Sequence, residues 1–256
     1  MMLFDQIIFG PIHSRRLGLS LGVNLLPVDA KICSFNCIYC ECGFNTTIQD
    51  FPFPTRAQVS EILSAKLQQM NTEGEIPDVI TFAGNGEPTL HPDFEGIIDD
   101  TIELRNKFCP TAKVSVLSNS TRIHKPHIFN ALNKVDNNIL KFDSAIDRTM
   151  KLIDQPVGKQ ISIKWLIEQL KKFDGKLIIQ TMLLRGKYQG ESIDNTTDEE
   201  ITAWLNALEI IRPQQIMIYS LDRDTPVQQL QKVYVEELNI IAEKARDRGF
   251  DVAVAG

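Results

Sequence analysis

No stretch of the sequence is long and apolar enough to suggest a membrane span. A transmembrane helix needs about 20 consecutive apolar residues, and no uncharged apolar run here approaches about 18. The first residues, Met1 to Asp5, also lack the basic region and following apolar run of a signal peptide. We therefore expect no membrane partner and a cytoplasmic location.

An excess of basic residues is also missing. The chain has 27 Lys and Arg against 33 Asp and Glu, which gives a net charge of −6. A protein whose whole surface binds nucleic acid would present a basic face, so this balance argues against that class. A local basic pocket is still compatible with it, and Arg15-Arg16 is a candidate. Nucleic acid stays open as a partner.

Cysteine is scarce outside one loop. Of the five cysteines, three lie between residues 33 and 40, and only Cys42 and Cys109 remain. Two leftover thiols make a poor disulfide framework, which favours a reducing compartment. Without a second group of cysteines, we expect no auxiliary iron–sulfur cluster.

The cysteine loop is the most informative motif. Cys33, Cys37 and Cys40 are separated by four and three residues, so one loop can bring all three sulfurs to one corner of an iron–sulfur cluster. A [4Fe–4S] cluster has four irons, and three ligands leave one iron for another molecule. Two other interpretations remain open: buried cysteines that only pack, or a zinc site with His13 as the nearest fourth donor.

Strand-like runs alternate with runs of helical period, the pattern of βαβ units. The polar stretch 185–198, with two glycines, is expected to be a long loop. Strands are expected at about 19–26, 78–83, 113–118, 139–142, 176–184, 215–219 and 250–255, and helices at about 56–70, 94–102, 126–132, 163–170, 201–208 and 235–245.

This order predicts an α/β fold, a partial, open (βα)6 TIM-like barrel, because six units fall short of the eight of a closed barrel. We expect a single domain over 1–256, with an N-terminal segment and first strand (1–27), a cluster loop (28–50) and the rest of the barrel (51–256). Active sites of such barrels lie at the carboxyl ends of the strands. The cysteine loop and the polar or glycine-rich segments 84–87, 118–119, 143, 186 and 220–223 all follow predicted strands.

The motif Cys-x-x-x-Cys-x-aromatic-Cys at residues 33–40 resembles the signature loop of the radical S-adenosylmethionine (SAM) superfamily. The resemblance implies that Cys33, Cys37 and Cys40 bind a [4Fe–4S] cluster whose open iron chelates SAM. It also places Tyr39 near the adenine of SAM, although ordinary packing would explain a tyrosine here as well.

A second segment, Gly84-Asn85-Gly86-Glu87, is similar to the Gly-Gly-Glu segment that follows the second strand in this superfamily. Glycine lets a backbone approach a ligand closely, and the resemblance implies that Glu87 accepts hydrogen bonds from the ammonium group of SAM. Asn85 stands where many members have glycine, which would narrow the space for the methionine part of SAM. Taken alone, the segment would read as a tight turn.

Ser118-Asn119 resembles the Thr-Asn pair at the end of strand three, and Lys141-Phe142-Asp143 resembles the Ser-Leu-Asp of strand four. These likenesses imply that Ser118, Asn119, Lys141 and Asp143 belong to the SAM pocket. Lys141 replaces a serine, and three interpretations stay open: a point charge for the SAM carboxylate, a substrate or Schiff-base lysine, or a side chain that extends to solvent. Further pocket candidates are Gln180 and Tyr219.

Residues 10–24 and 219–226 look like those of stand-alone radical SAM proteins grouped with wyosine-tRNA synthases, but the second cluster site and the tRNA-binding segments of the true synthases are missing. Arg15, Arg16 and Arg223 are candidates for binding a substrate phosphate or carboxylate, or for structural ion pairs.

The sequence therefore predicts a radical SAM enzyme. One cluster would cleave SAM reductively to a 5′-deoxyadenosyl radical, which abstracts hydrogen from an unidentified substrate: a small molecule, a modified nucleoside or a protein. Lys141 is the one candidate catalytic residue, and flavodoxin or ferredoxin would be the electron donor. Two alternatives are an activating enzyme that installs a glycyl radical on a partner protein, and a non-catalytic iron–sulfur or metal-binding protein.

Overall fold

The alternating strands and helices fold into one curved sheet covered by helices, in a computed structural model that describes residues 2–14, 16–46, 52–158 and 161–255. The strands are β1 (Ile8–Ser14), β2 (Gly18–Val23), β3 (Val79–Phe82), β4 (Lys113–Ser118), β5 (Asn137–Lys141), β6 (Ile178–Met182), β7 (Leu184–Tyr188), β8 (Glu191–Asp194), β9 (Gln215–Tyr219), β10 (Leu230–Lys232) and β11 (Val252–Ala255). The helices are α1 (Arg56–Glu73), α2 (Phe94–Phe108), α3 (Pro126–Lys134), α4 (Asp147–Asp154), α5 (Ile163–Leu170), α6 (Asp198–Ile211) and α7 (Val235–Arg246).

The main sheet has eight strands in the order β1-β2-β3-β4-β5-β6-β9-β11. All neighbours are parallel except β1 and β2, which form an antiparallel hairpin at one edge. Because β11 lies at the other edge and does not pair with β1, the barrel is open. The prediction of a partial, open barrel is confirmed. Among the described residues, no helix has the length and apolarity that a membrane crossing requires.

Local sequence signals explain where the helices begin. Thr55 caps α1: its hydroxyl accepts from Gln58 N at 3.2 Å, and the Gln58 side chain accepts from Thr55 N at 2.8 Å, which makes a capping box. The helix runs to Glu73, three residues beyond the predicted end, and stops where Gly74 takes a left-handed conformation with φ 75°.

The two faces of the sheet bury different sets of residues. Outward-facing side chains such as Leu140, Ile179 and Ile216 pack with the helices in the main core. The side chains at the alternating positions face the inside of the barrel. There Ile139, Ile178 and Met217 form a separate small cluster that also contacts Leu17 and Leu117. We refer to the inside of the barrel as the lumen.

The prediction of a long loop over 185–198 is wrong. The stretch contains β7 and β8, joined by a tight turn in which Gln189 and Gly190 have φ values of 51° and 83°. Two consecutive positive φ values suit a two-residue hairpin turn. With β10 these strands make a second, three-stranded antiparallel sheet. Its polar, half-exposed sequence hides the pattern of a buried strand.

Candidate active site

A cavity of about 220 Å³ opens at the carboxyl ends of the parallel strands. The predicted residues of the cluster and SAM pocket line it, Gln180 among them, except for Asn85, Asp143 and Tyr219, and Lys31 lines it as well. These residues come from the cysteine loop and from the ends of β3, β4, β5 and β6, and they meet because the strands of a parallel sheet end at the same edge. The structure thus collects in one place side chains that are far apart in the sequence.

The backbone of the cysteine loop is fixed by the segment that ends α4. Asn36 N donates to the carbonyl of Asp154 at 2.9 Å, and Ile38 N donates to the carbonyl of Ile153 at 3.0 Å. Val157 N donates in return to the carbonyl of Ser34 at 2.9 Å. These hydrogen bonds hold the loop against the end of α4.

The three thiols face the cavity in different electrostatic surroundings. Burial raises the pKa of Cys33 to about 11, and burial also raises that of Cys37. The thiol of Cys42, hydrogen-bonded to Cys40, lowers the pKa of Cys40, and nearby Lys31 adds to this effect. Metal binding favours the thiolate, so Cys40 is the sulfur that is best prepared to bind a metal.

This donor set fits an iron–sulfur cluster. All five cysteines are free thiols, and three of them share one cavity, which matches the cysteine ligation of such clusters. In the part of the chain that the structure describes, no three His, Cys, Asp or Glu side chains form a complete metal site. Binding would therefore draw the sulfurs closer together. Cys42 is not part of the cavity wall; its Sγ lies 3.5 Å from the carbonyl of Gly84.

Glu87 is buried at the wall of the cavity and is held by four donors. One carboxylate oxygen, Oε1, accepts from Thr89 N at 3.2 Å, from Thr89 Oγ1 at 2.5 Å and from Ser118 Oγ at 2.8 Å. The other, Oε2, accepts from Asn119 N at 2.7 Å. Burial raises the pKa of Glu87, and these hydrogen bonds oppose the rise. Since a carboxylate oxygen has two lone pairs, Oε2 can accept one further hydrogen bond.

The two glycines of this segment stand where a side chain would not fit. Gly86 has φ 142°, and a Cβ there would lie 1.8 Å from the carbonyl oxygen of Ile32. Gly84 has φ 148°, and its Cβ would lie 2.4 Å from Asn24 Oδ1. Glycine is therefore required for the cysteine loop to lie directly against this segment, where Glu87 N donates to the carbonyl of Ile32 at 3.1 Å.

Asn85 has a different role from the one suggested by the resemblance. Its side chain is fully buried outside the cavity. The amide Nδ2 donates to the carbonyls of Phe4 and Pro27, both at 2.9 Å, and Oδ1 accepts from Phe4 N at 2.8 Å. Asn85 therefore fastens the N-terminal segment and does not narrow the space beside Glu87.

Asn119 connects the end of β4 with the cysteine loop. Its Nδ2 donates to Cys33 Sγ at 3.3 Å and to Ser34 Oγ at 2.9 Å, while Oδ1 accepts from Thr121 Oγ1 at 2.8 Å. Because Asn119 N also binds Glu87, one residue joins the thiol and carboxylate sides of the cavity.

Lys141 is surrounded by acidic and polar partners. Its Nζ lies 3.3 Å from Cys37 Sγ, 3.2 Å from Asp143 Oδ2 and 3.3 Å from Asp154 Oδ1, and it also contacts Tyr39 Oη. Burial lowers the pKa of Lys141, but the negative charge of Asp143 and the other neighbours outweighs it, so the pKa is raised. The side chain is only 16% exposed, so it does not extend freely into solvent.

Tyr39 and Asp143 complete this group. The Tyr39 hydroxyl donates to Asp143 Oδ2, and the Lys141 ammonium lies 4.4 Å from the centre of the Tyr39 ring. Asp143 Oδ1 accepts from Met182 N at 2.9 Å, which fixes the carboxylate against β6. Burial raises the pKa of Tyr39, so the phenol remains a proton donor.

Sequence reasoning missed two residues of the site. Asp154, whose pKa burial raises to about 8, belongs to α4, a helix that was not predicted. Lys31 is almost fully buried and donates to the carbonyl of Gly43 at 2.5 Å beside Cys40. Its position two residues before Cys33 was the one available signal.

Of the three arginines proposed for substrate, Arg15 lies outside the described residues. Arg223 is 57% exposed and pairs with Glu41 at 2.7 Å, as a structural ion pair would. Arg16 places its guanidinium carbon 4.5 Å from the centre of the Tyr219 ring.

Sequence comparison relates the chain to curated proteins, although no protein-family model matches it. A UPF0026 protein of Helicobacter pylori is 32% identical over 210 residues, which cover 80% of this chain and 64% of the relative. The chain therefore spans less than two thirds of the length of this curated relative.

Two solved structures resemble the fold at low sequence identity. A radical SAM methyltransferase from Sphaerobacter thermophilus matches with a TM-score of 0.67 and 14% identity over 92% of this chain and 65% of that one. TYW1 with a lysine–pyruvate adduct bound matches with a TM-score of 0.63 and 16% identity over 89% and 73%. The chain thus has the fold of the radical SAM enzymes and resembles UPF0026 proteins in sequence.

Proposed function

We propose that this protein is a radical SAM enzyme with one [4Fe–4S] cluster, held by Cys33, Cys37 and Cys40. The observation that carries the proposal is the shared cavity, in which three free thiols lie opposite the Glu87 carboxylate. A cluster and SAM bound there would supply the reductive cleavage of SAM to methionine and a 5′-deoxyadenosyl radical. The electron would come from a donor such as flavodoxin or ferredoxin.

The residues around the thiols suit the amino acid part of SAM. Glu87 Oε2 retains a free lone pair for an ammonium group, and Gly84 and Gly86 keep the wall beside it bare of side chains. Ser118 and Asn119 orient the Glu87 carboxylate by hydrogen bonds. A non-catalytic iron–sulfur protein would have no need of a buried carboxylate in the cavity that its thiols share.

Lys141 balances charge in this proposal. A Schiff-base lysine must lose its proton to attack a carbonyl group, whereas the partners of Lys141 raise its pKa. The ammonium instead lies between Cys37, Asp143 and Asp154, where it offsets the negative charge that thiolates and carboxylates bring together. It would also hold Tyr39 in place beside Cys40.

The test is anaerobic reconstitution with iron and sulfide, followed by dithionite and SAM. We expect release of 5′-deoxyadenosine and a change in the EPR signal of the reduced protein when SAM is added. If neither is observed with a fully loaded protein, the proposal is wrong.

Single cysteine variants test the ligand set. Cys33→Ala, Cys37→Ala and Cys40→Ala should each lose most of the bound iron and sulfide, since each removes one of three protein ligands. Cys109→Ala is the matched control, because this thiol is buried in the main core, and Cys42→Ala should also retain the cluster. Loss of iron from Cys42→Ala would overturn the assignment.

A further inference from the structure

The lumen continues below the cavity, and the tip of the β1–β2 hairpin closes its floor. Leu17, at this tip, packs against Ile139, Ile178 and Met217, which point inward from β5, β6 and β9. Arg16 precedes it, so the hairpin also places an arginine at this end of the barrel. A second cavity, of about 590 Å³, lies at this lower end and is lined by Arg16, Leu17 and Met217 among others.

The guanidinium of Arg16 has no anionic partner in the parts of the chain that the structure describes. Its Nη1 atom is buried and makes no hydrogen bond. The ring of Tyr219 covers the group, with 4.5 Å between the guanidinium carbon and the ring centre. Asp78, the acidic residue at the same end, accepts instead from Leu19 N at 2.7 Å. A buried donor without a partner is unfavourable, so a ligand is the natural partner for Nη1.

Arg16 is connected to the proposed active site through two side chains. Tyr219, whose ring covers the guanidinium, lies on β9, which pairs with β6, the strand that carries Gln180. Gln180 in turn lines the cavity that holds the thiols. A series of neighbouring residues, Cys37, Lys141, Gln180 and Tyr219, therefore leads from the thiols to Arg16. Of the two cations along it, Lys141 is already compensated by Asp143 and Asp154.

We propose that Arg16 binds a carboxylate group of the substrate, at the floor of the lumen and on the side away from the cluster. This proposal rests on the proposed function and narrows its substrate class. A carboxylate carries one negative charge, which a single guanidinium neutralises, and its two oxygens match the guanidinium fork. A phosphate dianion would need a second cation for its second charge, and Lys113, the other cation of the lower cavity, is exposed to solvent.

The binding experiment needs neither the cluster nor SAM. The full chain is titrated with acetate and, separately, with inorganic phosphate at constant ionic strength, and the thermal midpoint and the arginine Nε–H NMR resonances are followed. The Arg16 resonance is identified by its loss in Arg16→Lys. We expect saturable binding that is tighter for acetate than for phosphate, and the matching rise in the thermal midpoint that ligand linkage requires.

Arg16→Gln should abolish the acetate-dependent shift. Arg16→Lys, which keeps the charge without the fork, should weaken the binding at least about tenfold. Arg223→Gln removes an exposed arginine that is paired with Glu41, and it should bind acetate as the wild type does. Equal acetate shifts in the wild type and in Arg16→Gln, no saturable shift, or tighter binding of phosphate would each overturn the proposal.

The two proposals fail separately. Cleavage of SAM by the reconstituted wild type tests the enzyme class, whereas acetate binding by the cluster-free chain tests the carboxylate site. Acetate binding at Arg16 in a protein that does not cleave SAM would leave the carboxylate site standing and the radical SAM assignment refuted. SAM cleavage without acetate binding would do the reverse.

Discussion

Lys141 is the residue on which the electrostatics of the site depend most. Its ammonium lies 3.2 Å from Asp143 and 3.3 Å from Asp154, two buried acidic side chains, and it offsets the negative charge of Asp143. Removing one partner of a buried ion pair leaves an uncompensated charge, which typically costs about 3–5 kcal/mol. Lys141→Met should therefore lower the free energy of unfolding by about that amount in a urea titration.

The control for Lys141 is Lys134, which pairs with Asp99 at 2.8 Å on the surface and is 39% exposed. Exposed pairs contribute about 0–1 kcal/mol, so Lys134→Met should change stability by no more than that. If the two variants lose similar free energy, Lys141 does not compensate buried charge. A variant with both Lys141→Met and Asp143→Asn should recover part of the loss.

Glu200 should make the stability of the protein depend on pH, and this effect can be measured separately from the titration of the thiols. Burial raises its pKa above the usual 4.5, and its Oε2 accepts from Ser144 Oγ at 2.7 Å. Between pH 4.5 and the raised pKa, the unfolded chain loses this proton while the folded chain keeps it. The folded state then binds more protons, so stability contributed by Glu200 falls as pH rises through this window.

Urea titrations across the acidic and neutral range test this effect. Glu200→Gln should show a weaker fall of stability with rising pH than the wild type. Glu103→Gln, which removes an exposed carboxyl on α2 that does not contribute to the pKa of Glu200, should follow the wild-type curve. Identical pH profiles for Glu200→Gln and the wild type would show that the carboxyl does not titrate differently on folding.

At the level of elements, the contact between the cysteine loop and the segment after β3 depends on Gly86. A Cβ at this position would lie 1.8 Å from the carbonyl oxygen of Ile32, and backbone cannot yield as a flexible side chain does. Gly190, in the β7–β8 turn, also has positive φ but no atom within 4 Å of a Cβ. Gly190→Ala should lower the free energy of unfolding by about 1–2 kcal/mol, because alanine must adopt the left-handed conformation there.

Gly86→Ala should lower the free energy of unfolding more than Gly190→Ala does. Both variants strain the backbone, but Gly86→Ala also displaces the cysteine loop. We also expect reduced iron uptake on reconstitution, since Ile32 directly precedes Cys33. Urea titration and iron content measure the two effects. Equal iron content in both alanine variants would mean that the loop reaches its cluster-binding shape without this contact.

The elements that were predicted well are those whose signals are local. The strands at 113–118 and 215–219 have the predicted bounds, and Thr55 and Pro126 begin helices as expected. Each carries its own apolar period or cap, so no distant part of the chain is needed to recognise it.

What could not be predicted depends on distant contacts. The helix α4 is only eight residues long, so its apolar residues Met150 and Ile153 repeat over little more than two turns, which is too short a stretch to establish a helical period. Because that helix was missed, Asp154 was missed as a neighbour of Lys141. No local pattern in the sequence indicates that the Asn85 side chain turns towards Phe4, because the two residues are 81 positions apart.

On the scale of the whole molecule, the two sheets should differ in local stability. The central strands β3, β4 and β5 are paired on both sides and mostly buried. The β7–β8 hairpin is short, half-exposed and paired only with β10 on its other side. Regions with exposed backbone hydrogen bonds open at lower free energy.

Hydrogen exchange followed by mass spectrometry should therefore show the slowest exchange in β3–β5 and faster exchange in 184–194. Reconstitution with iron and sulfide should further slow exchange in 31–46 and in 153–157, the two segments that hydrogen-bond around the thiols. Uniform slowing over the entire chain would indicate a general stabilisation in place of a local site. Unchanged exchange in both segments would contradict cluster binding there.

The separation along the chain between the thiols and their partners has a consequence for synthesis on the ribosome. Cys37 and Lys141 are 104 residues apart, and Cys37 and Asp154 are 117 apart. At about 5–20 residues per second, the cysteines emerge roughly 5–20 seconds before the groups that position them. During this interval the thiols are accessible on an incomplete chain. Insertion of the proposed cluster into the finished site would therefore be a late event, after translation has passed α4.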